Sequence, residues 1–326
     1  MHRVRVFLNS KASSSQSNDW RGQIEEGLFR SQLEFVDAPS LEVFKQELRK
    51  ATEDQVDAVI SVGGDGTFNT LLQELAGGKT PFLVVPAGTA NDLARELGVT
   101  PRLRKAIEAI RKNEVHSIDL ISVNGTYMAT NGGIGLVSEV ADQINAIRNR
   151  FPRFKSVMSS LSHHTYSLGL ASHLMTGQYR YHRVKIESES FSGEIETPLL
   201  LVSNQPCIAG SFPIAPNTRN DDGHFNVTAF LHRRWKDFVG AVLKVKKGQS
   251  IAMDPEVISF ETSELTLESI SLKHGQLAPL SFFGDGEDLA FGTKLHFTIL
   301  HQALSVFRPY CHPSQSEPKQ SEISPL

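Results

Sequence analysis

The chain has 326 residues, 40% of them hydrophobic, and a formal net charge of −3. That length is ample for a large core or two ordinary ones, and the near-neutral balance excludes a global pull toward nucleic acid or anionic membrane, so any such attraction must be local. Two cysteines, Cys207 and Cys311, supply neither a disulfide framework nor a zinc set, which fits a reducing cytosol, and no run reaches the roughly 18 apolar residues of a membrane span.

Residues Met1–Leu8 alternate polar and apolar and predict a first strand rather than a signal peptide, so the protein is expected in the cytoplasm. A polar turn, Asn9–Ser13, precedes a helical stretch of about Trp20–Arg30. Strand patterns follow at Leu33–Val36, Ala58–Val62, Phe82–Val85 and Val115–Val123, separated by helical patterns at Leu41–Thr52, Phe68–Ala76 and Leu93–Lys112. That alternation predicts a parallel sheet covered on both faces, with ligands at the carboxyl ends of its strands. Asn9, Asp65 and Gly88 all fall at such ends and are expected to line one crevice.

The most informative stretch is Val59–Asn69, where an apolar run ends in Gly63-Gly64-Asp65-Gly66-Thr67 and a helical segment begins. Glycines let backbone N–H groups approach phosphate oxygens, and a helix N-terminus adds its positive end. A carboxylate at Asp65 beside a polyphosphate is useful when a cation such as Mg²⁺ lies between them. The alternative is a tight turn with Thr67 as N-cap. In Gly88-Thr89-Ala90-Asn91-Asp92, Asn91 or Asp92 either caps the next helix or faces the crevice. Asp119 interrupts an apolar strand, where a charge is costly unless paired or at an edge.

From Asn124-Gly125, a strong hairpin signal, antiparallel structure is expected and a second domain begins. Asn131–Gly135 reads as a loop for close interdomain packing ahead of a helix over Leu136–Arg148. Arg148, Arg150, Arg153 and Lys155 precede an apolar stretch, Ser156–Met175, with Arg180, Arg183 and Lys185 beyond; these residues suit anionic headgroups or form a solvated face. Strand patterns at Tyr179–Glu187, Glu194–Ser203, Phe225–Phe230, Val257–Phe260, Leu265–Leu272 and Pro279–Phe283, with one helix at Trp235–Lys247, predict a sandwich. Asn217–His224 reads as a β-turn. Glycines flank Asp285 in Gly284-Asp285-Gly286-Glu287, which is either a hairpin turn or a close approach that would make Glu287 a well-placed base. Lys294–Leu300 and Leu304–Phe307 are the last strand patterns, and the residues from Pro313 have the composition of a disordered tail.

Gly63–Thr67 and Pro86–Arg95, with Ala215-Pro216, Asp221-Asp222-Gly223 and Asp285-Gly286-Glu287 downstream, resemble the diacylglycerol kinase catalytic superfamily. That superfamily includes bacterial lipid kinases and sphingosine and ceramide kinases, and is related more distantly to NAD kinases and phosphofructokinases. The resemblance implies an α/β plus β fold: a doubly wound parallel-sheet nucleotide domain over 1–123, joined by about 301–312, and an antiparallel β-sandwich over 124–300. It implies ATP as phosphate donor with Mg²⁺, and a lipid hydroxyl at the membrane surface as acceptor, most simply diacylglycerol. Glu287, Asp65 and Asp119 would be catalytic. Asn9, Gly63, Gly64, Asp65, Gly66, Thr67, Gly88, Thr89, Asn91 and Asp92 would hold the nucleotide, although the family's Asn-Pro-x-Ser-Gly loop is matched here clearly only by Asn9. A structural Mg²⁺ would sit on Asp222 with the backbone carbonyls of Arg219 and His224. Peripheral association with the inner face of the membrane is expected, no nucleic-acid partner is, and a homodimer is left open. The alternatives are a kinase for a sphingoid or other lipid alcohol, an NAD kinase, and a non-catalytic homologue.

Overall fold

The computed structural model describes residues 2–8, 19–87, 91–99, 103–141, 180–208, 212–273 and 275–308. Four strands, β1 (Arg3–Leu8), β2 (Gln32–Val36), β3 (Ala58–Gly63) and β4 (Phe82–Pro86), lie parallel in the order β2-β1-β3-β4. β3 is buried at every position, which is why its sequence is a continuous apolar run rather than an alternation. Helices α1 (Trp20–Gly27), α2 (Leu41–Glu53), α3 (Asp65–Leu75), α4 (Asp92–Glu96) and α5 (Leu103–Lys112) connect and cover the strands, α1 packing with α5 and α2 with α3. Asp19 and Ser40 cap α1 and α2 by accepting from the N–H groups of Gly22 and Val43. The single helix predicted over Leu93–Lys112 is two: Gly98, at φ 70°, takes the left-handed position that ends α4 while the Val99 N–H donates to the Ala94 carbonyl.

β5 (Val115–Val123) turns through Asn124 and Gly125, at φ 49° and 89°, into β6 (Thr126–Met128), as the Asn-Gly signal predicts. Asn131–Gly135 is not a loop but a central strand, β7. Its glycines are needed because the space for side chains is occupied: a β-carbon on Gly132 would stand 2.5 Å from the Phe282 ring, and one on Gly133 2.6 Å from the Leu200 carbonyl oxygen. Glycine lowers strand propensity, so this close packing hides the strand from pattern reading.

The remaining strands are β8 (His182–Ser188), β9 (Ser192–Thr197), β10 (Leu199–Ser203), β11 (Phe225–Phe230), β12 (Val257–Thr262), β13 (Glu264–Ser269), β14 (Leu272–Lys273), β15 (Gln276–Leu277), β16 (Leu280–Gly284), β17 (Glu287–Gly292) and β18 (Lys294–Phe307). The predicted strand over Glu194–Ser203 breaks at Pro198, so that β9 and β10 join different sheets. The two predicted terminal strands are one, β18, irregular between Leu300 and Leu304 with Gln302 at φ 51°. β18 pairs along β5; its first half also pairs with β13 and its end runs parallel to β4 through Val306 and Phe82. One ten-stranded sheet therefore continues from the parallel layer into the antiparallel half. A second sheet, β12-β11-β10-β7-β16-β17, packs against it over a core that includes Ile121, Val202, Val227, Leu267, Phe282 and Phe297. A further helix, α6 (Trp235–Lys246), covers the outer face of that second sheet, burying Phe238, Ala241 and Val245 against Leu199, Leu201 and Phe230.

Among the described residues no helix is long and apolar enough to cross a membrane. The basic residues Arg148, Arg150, Arg153 and Lys155, the apolar stretch after them and the tail from Pro313 lie outside the described residues.

Candidate active site

α3 begins three residues earlier than the Thr67 cap reading, with Gly64 as N-cap and Asp65 as its first residue. A glycine cap brings no side chain, and an acid in the first turn complements the positive end of the helix. Thr67 packs back over Gly63, where a β-carbon would stand 2.6 Å from that of Thr67, so the first glycine is required by the tightness of the strand-to-helix corner. The Ala87 N–H donates to the Gly63 carbonyl at 2.9 Å, drawing the end of β4 to the same corner. Asn91, at φ 50°, gives α4 no side-chain capping bond; instead its backbone N–H donates to Asp65 Oδ2 at 3.1 Å. Asp65 and Asn91 thus meet. Asp92 is the first residue of α4, while Asn9, Gly88 and Thr89 lie outside the described residues.

The β16–β17 turn closes on this corner. Asp285 and Gly286 take φ 49° and 84°, a two-residue hairpin turn. A β-carbon on Gly286 would stand 3.6 Å from the Asp65 β-carbon, and one on Gly66 would stand 3.1 Å from Glu287 Oε1. Both readings of 284–287 therefore hold together: it is a hairpin turn, and it lays Glu287 over the glycine corner.

Buried groups fix the turn in place. The Asp285 carboxylate accepts from the backbone N–H groups of Ala129 (2.7 Å) and Thr130 (2.9 Å) and from the Thr130 hydroxyl. β6, which leads into these residues, is held to α3 by a reciprocal pair: Gln73 Nε2 donates to the Tyr127 carbonyl at 2.8 Å, and the Tyr127 N–H donates to Gln73 Oε1 at 3.0 Å. Asn204, fully buried, donates through Nδ2 to the carbonyls of both Ala129 and Asp119. Gln73, Thr130 and Asn204 were not predicted from the sequence, because a lone amide or hydroxyl carries no pattern; only their placement beside Asp285 and Asp119 marks them.

Burial pushes Asp285 up to about 6, outweighing its three hydrogen bonds, and the nearby Asp65 charge adds to the shift. Stability tied to protonated Asp285 is fully present below its ordinary value of 3.8 and is lost as pH rises through about 6. Relative to Asp285→Asn, the wild-type protein should lose on the order of 3 kcal/mol across that window, measured by urea unfolding at a series of pH values. Parallel pH profiles for the two proteins would remove this titration from Asp285.

Asp119 is wholly buried and does not stand free on an edge. Its carboxylate accepts from the N–H groups of Gly223 and Gln302, both at 2.6 Å, and lies 2.9 Å from His301 Nδ1. These bonds pin the 219–224 loop to the irregular point of β18. Within that loop the Arg219 guanidinium pairs with Asp221, and Asp222 Oδ1 accepts from the His224 N–H at 3.0 Å. Asp222 itself is exposed, and its Oδ1 shapes the turn. No cluster of three or more His, Cys, Asp or Glu side chains in metal-binding range occurs among the described residues. A set of one carboxylate and two backbone carbonyls is a different kind of site, and its all-oxygen chemistry fits Mg²⁺. The buried Thr218 hydroxyl beside the loop also finds no hydrogen-bond partner among the described residues.

Residues 3–123 match the diacylglycerol kinase catalytic domain, and residues 135–308 match the YegS C-terminal NAD kinase beta sandwich-like domain. The chain belongs to the diacylglycerol kinase-like superfamily. Similar proteins include a diacylglycerol kinase of Bacillus subtilis (strain 168), 25% identical over 207 residues that make up 62% of this chain and 64% of that one. Another is a diacylglycerol kinase of Staphylococcus carnosus (strain TM300), 24% identical over 267 residues, 81% of this chain and 80% of that one. Coverage of the curated relatives falls to 54% of their length for a lipid kinase-like protein of Staphylococcus haemolyticus. The crystal structure of a diacylglycerol kinase from Bacillus anthracis str. Sterne has the same fold, with a TM-score of 0.67, 17% identity, and coverage of 96% of this chain and 98% of that one. The superfamily is one of lipid kinases, whose phosphate donor is ATP, and the fold is the α/β layer plus antiparallel sandwich expected from the sequence.

Proposed function

We propose that this protein is an ATP-dependent lipid kinase that transfers the γ-phosphate to a lipid hydroxyl, converting diacylglycerol to phosphatidic acid. The observation that carries this reading is the meeting of two carboxylates at one glycine corner: Asp65 at the start of α3, and Glu287 laid over Gly66 by a turn from the other sheet. Backbone groups of Gly63, Gly64, Gly66 and Thr67, with the loop of Gly88, Thr89, Asn91 and Asp92 and the Asn9 turn, would cradle the phosphates. Mg²⁺, when bound with ATP, supplies charge neutralisation on the phosphate oxygens, and Asp65 is the residue suited to hold it. Glu287 takes the proton of the attacking hydroxyl as that oxygen bonds to the γ-phosphorus and ADP leaves.

Asp119 is assigned to positioning rather than to chemistry, since its carboxylate is consumed by backbone N–H groups and His301. The nucleotide-binding unit is 1–123 with 301–312, and the lipid-binding unit is 124–300. A cytoplasmic enzyme attached to the inner face of the membrane follows from a substrate that resides there. Asp222 and the carbonyls of Arg219 and His224 would hold a structural Mg²⁺ in the 219–224 loop. Asp222→Ala should abolish any Mg²⁺-dependent rise in melting temperature while changing ATP affinity little, because a ligand that binds only the native state stabilises it by mass action. An unchanged Mg²⁺ dependence of melting would return Asp222 to a turn residue.

The acceptor is tested by supplying γ-labelled ATP with diacylglycerol or sphingosine in mixed micelles, or with NAD in solution. Label in phosphatidic acid, at a rate well above the other acceptors, is expected. Preferential labelling of sphingosine or NAD would reassign the substrate, and label in no acceptor would favour a non-catalytic homologue.

A further inference from the structure

The outward face of α6 has no role in the site described above. Its buried face is defined by Phe238, Ala241 and Val245, so the opposite side carries Trp235, Val239 and Leu243 at i, i+4 and i+8. Trp235 and Leu243 are 45% and 48% exposed, and Met253, on the segment that follows the helix, is 94% exposed. Lys236 and Lys247 stand exposed along the solvent flank of that stripe, and Lys246 is exposed in line with it at the C-terminal end of the helix. Residues 233–247 contain six basic side chains and one acidic one, Asp237, in a chain whose net charge is −3. Arg233 and Lys244 lie 3.7 and 3.9 Å from the carboxylates of Glu196 and Asp254, so the basic excess of this face rests on Arg234, Lys236, Lys246 and Lys247.

An isolated apolar residue on a surface is ordinary, and a basic helix face is often only solvated. The combination is more selective: an indole and aliphatic side chains in a line, lysines along the solvent flank and at the C-terminal end of that line, and a helix lying flat on its own sheet, so that the apolar stripe is presented sideways rather than end-on. That is the layout of an interfacial helix, in which apolar side chains enter the headgroup boundary and lysines meet anionic phosphates. A negatively charged bilayer complements both parts at once, its headgroups the lysines and its acyl boundary the apolar stripe.

We infer that the outward face of α6 is a membrane-docking surface for an anionic phospholipid bilayer. This deepens the lipid-kinase reading, on which its purpose rests, but docking is read without turnover, so the two can fail separately. The placement differs from the basic residues of 148–155 singled out in the sequence.

The sequence has two tryptophans, Trp20 and Trp235, so Trp20→Phe leaves Trp235 as the sole indole of the full-length protein. With vesicles of phosphatidylcholine containing phosphatidylglycerol, its emission should shift to the blue and be quenched by brominated acyl chains. Vesicles of phosphatidylcholine alone should do much less. Lys236→Glu, Lys246→Glu and Lys247→Glu together should lower partitioning by at least about 10²-fold, the scale of losing three positive charges at an anionic surface before the repulsion of the new carboxylates is added. Raising salt should weaken wild-type binding, since screening shortens to about 3 Å at 1 M. Circular dichroism and melting curves check that the variants fold, and phosphorylation of a short-chain, soluble diacylglycerol should proceed at the wild-type rate. Equal partitioning of the wild-type and charge-reversed proteins, or absence of quenching, would overturn the inference. So would a concentration-dependent dimer in which Trp235 is shielded without lipid, because it would make this face an interface between two copies of the chain.

Discussion

Asp65→Asn is expected to lower kcat by on the order of 10²–10³-fold at saturating Mg²⁺ and ATP, the scale on which loss of one preorganised electrostatic group acts in a transition state. The substitution is close to isosteric, and the amide oxygen can still accept from the Asn91 N–H that the carboxylate now holds at 3.1 Å. The fold should therefore survive, with a melting temperature near that of the wild-type protein. A second readout follows from the neighbouring turn. The Asp65 charge contributes to the raised pKa of Asp285, so its removal should move the Asp285 titration downward. Near-normal turnover together with an unmoved titration would place Asp65 away from the reacting phosphate and away from the turn.

Glu287→Gln is the other large effect. A lipid hydroxyl is a poor nucleophile at neutral pH, and a positioned carboxylate that removes its proton contributes about 10²–10⁴-fold. The amide keeps the size of the side chain but cannot take the proton, so kcat should fall by that order while KM for ATP changes little. Asp285 is the nearest competitor for the role. It is a poor one, because its oxygens are engaged with Ala129 and Thr130 and the residue is buried, whereas Glu287 is exposed at the start of β17 over Gly66. Asp285→Asn should consequently act through the position of the turn and through stability, with its activity loss tracking its loss of folded protein. A Glu287→Gln enzyme at full rate, beside an inactive but fully folded Asp285→Asn enzyme, would exchange the two assignments.

Much of the fold was legible because its strands obey simple rules. β3 is an unbroken apolar run buried on both faces, and the Asn124-Gly125 hairpin appears where its turn chemistry predicts. Where reading failed, tertiary packing had overridden local preference. β7 is a glycine strand made possible by Phe282 and Leu200, whose approach no local pattern reports. β18 is continuous because β5 pairs along both of its halves, although residues 301–303 break the alternation. The candidate site divides in the same way. Asp65, Asn91 and Glu287 stand in short motifs and were singled out, and the structure brings them together although Glu287 is more than 200 positions from Asp65 in the sequence. The groups that hold them there, Gln73, Thr130 and Asn204, are single polar residues whose meaning comes only from burial beside a partner.

The central claim is that the glycine corner and the Asp285–Glu287 turn form one phosphoryl-transfer site. Its most direct test is single-turnover transfer of labelled γ-phosphate from ATP to diacylglycerol in mixed micelles, by the wild-type protein, Asp65→Asn, Glu287→Gln and the double variant. Residues acting as one unit are strongly non-additive. The predicted result is label in phosphatidic acid with the wild-type protein, a large loss in each single variant, and a double variant little slower than the slower single. Losses that multiply in the double variant, or single variants that transfer phosphate at the wild-type rate, would contradict it.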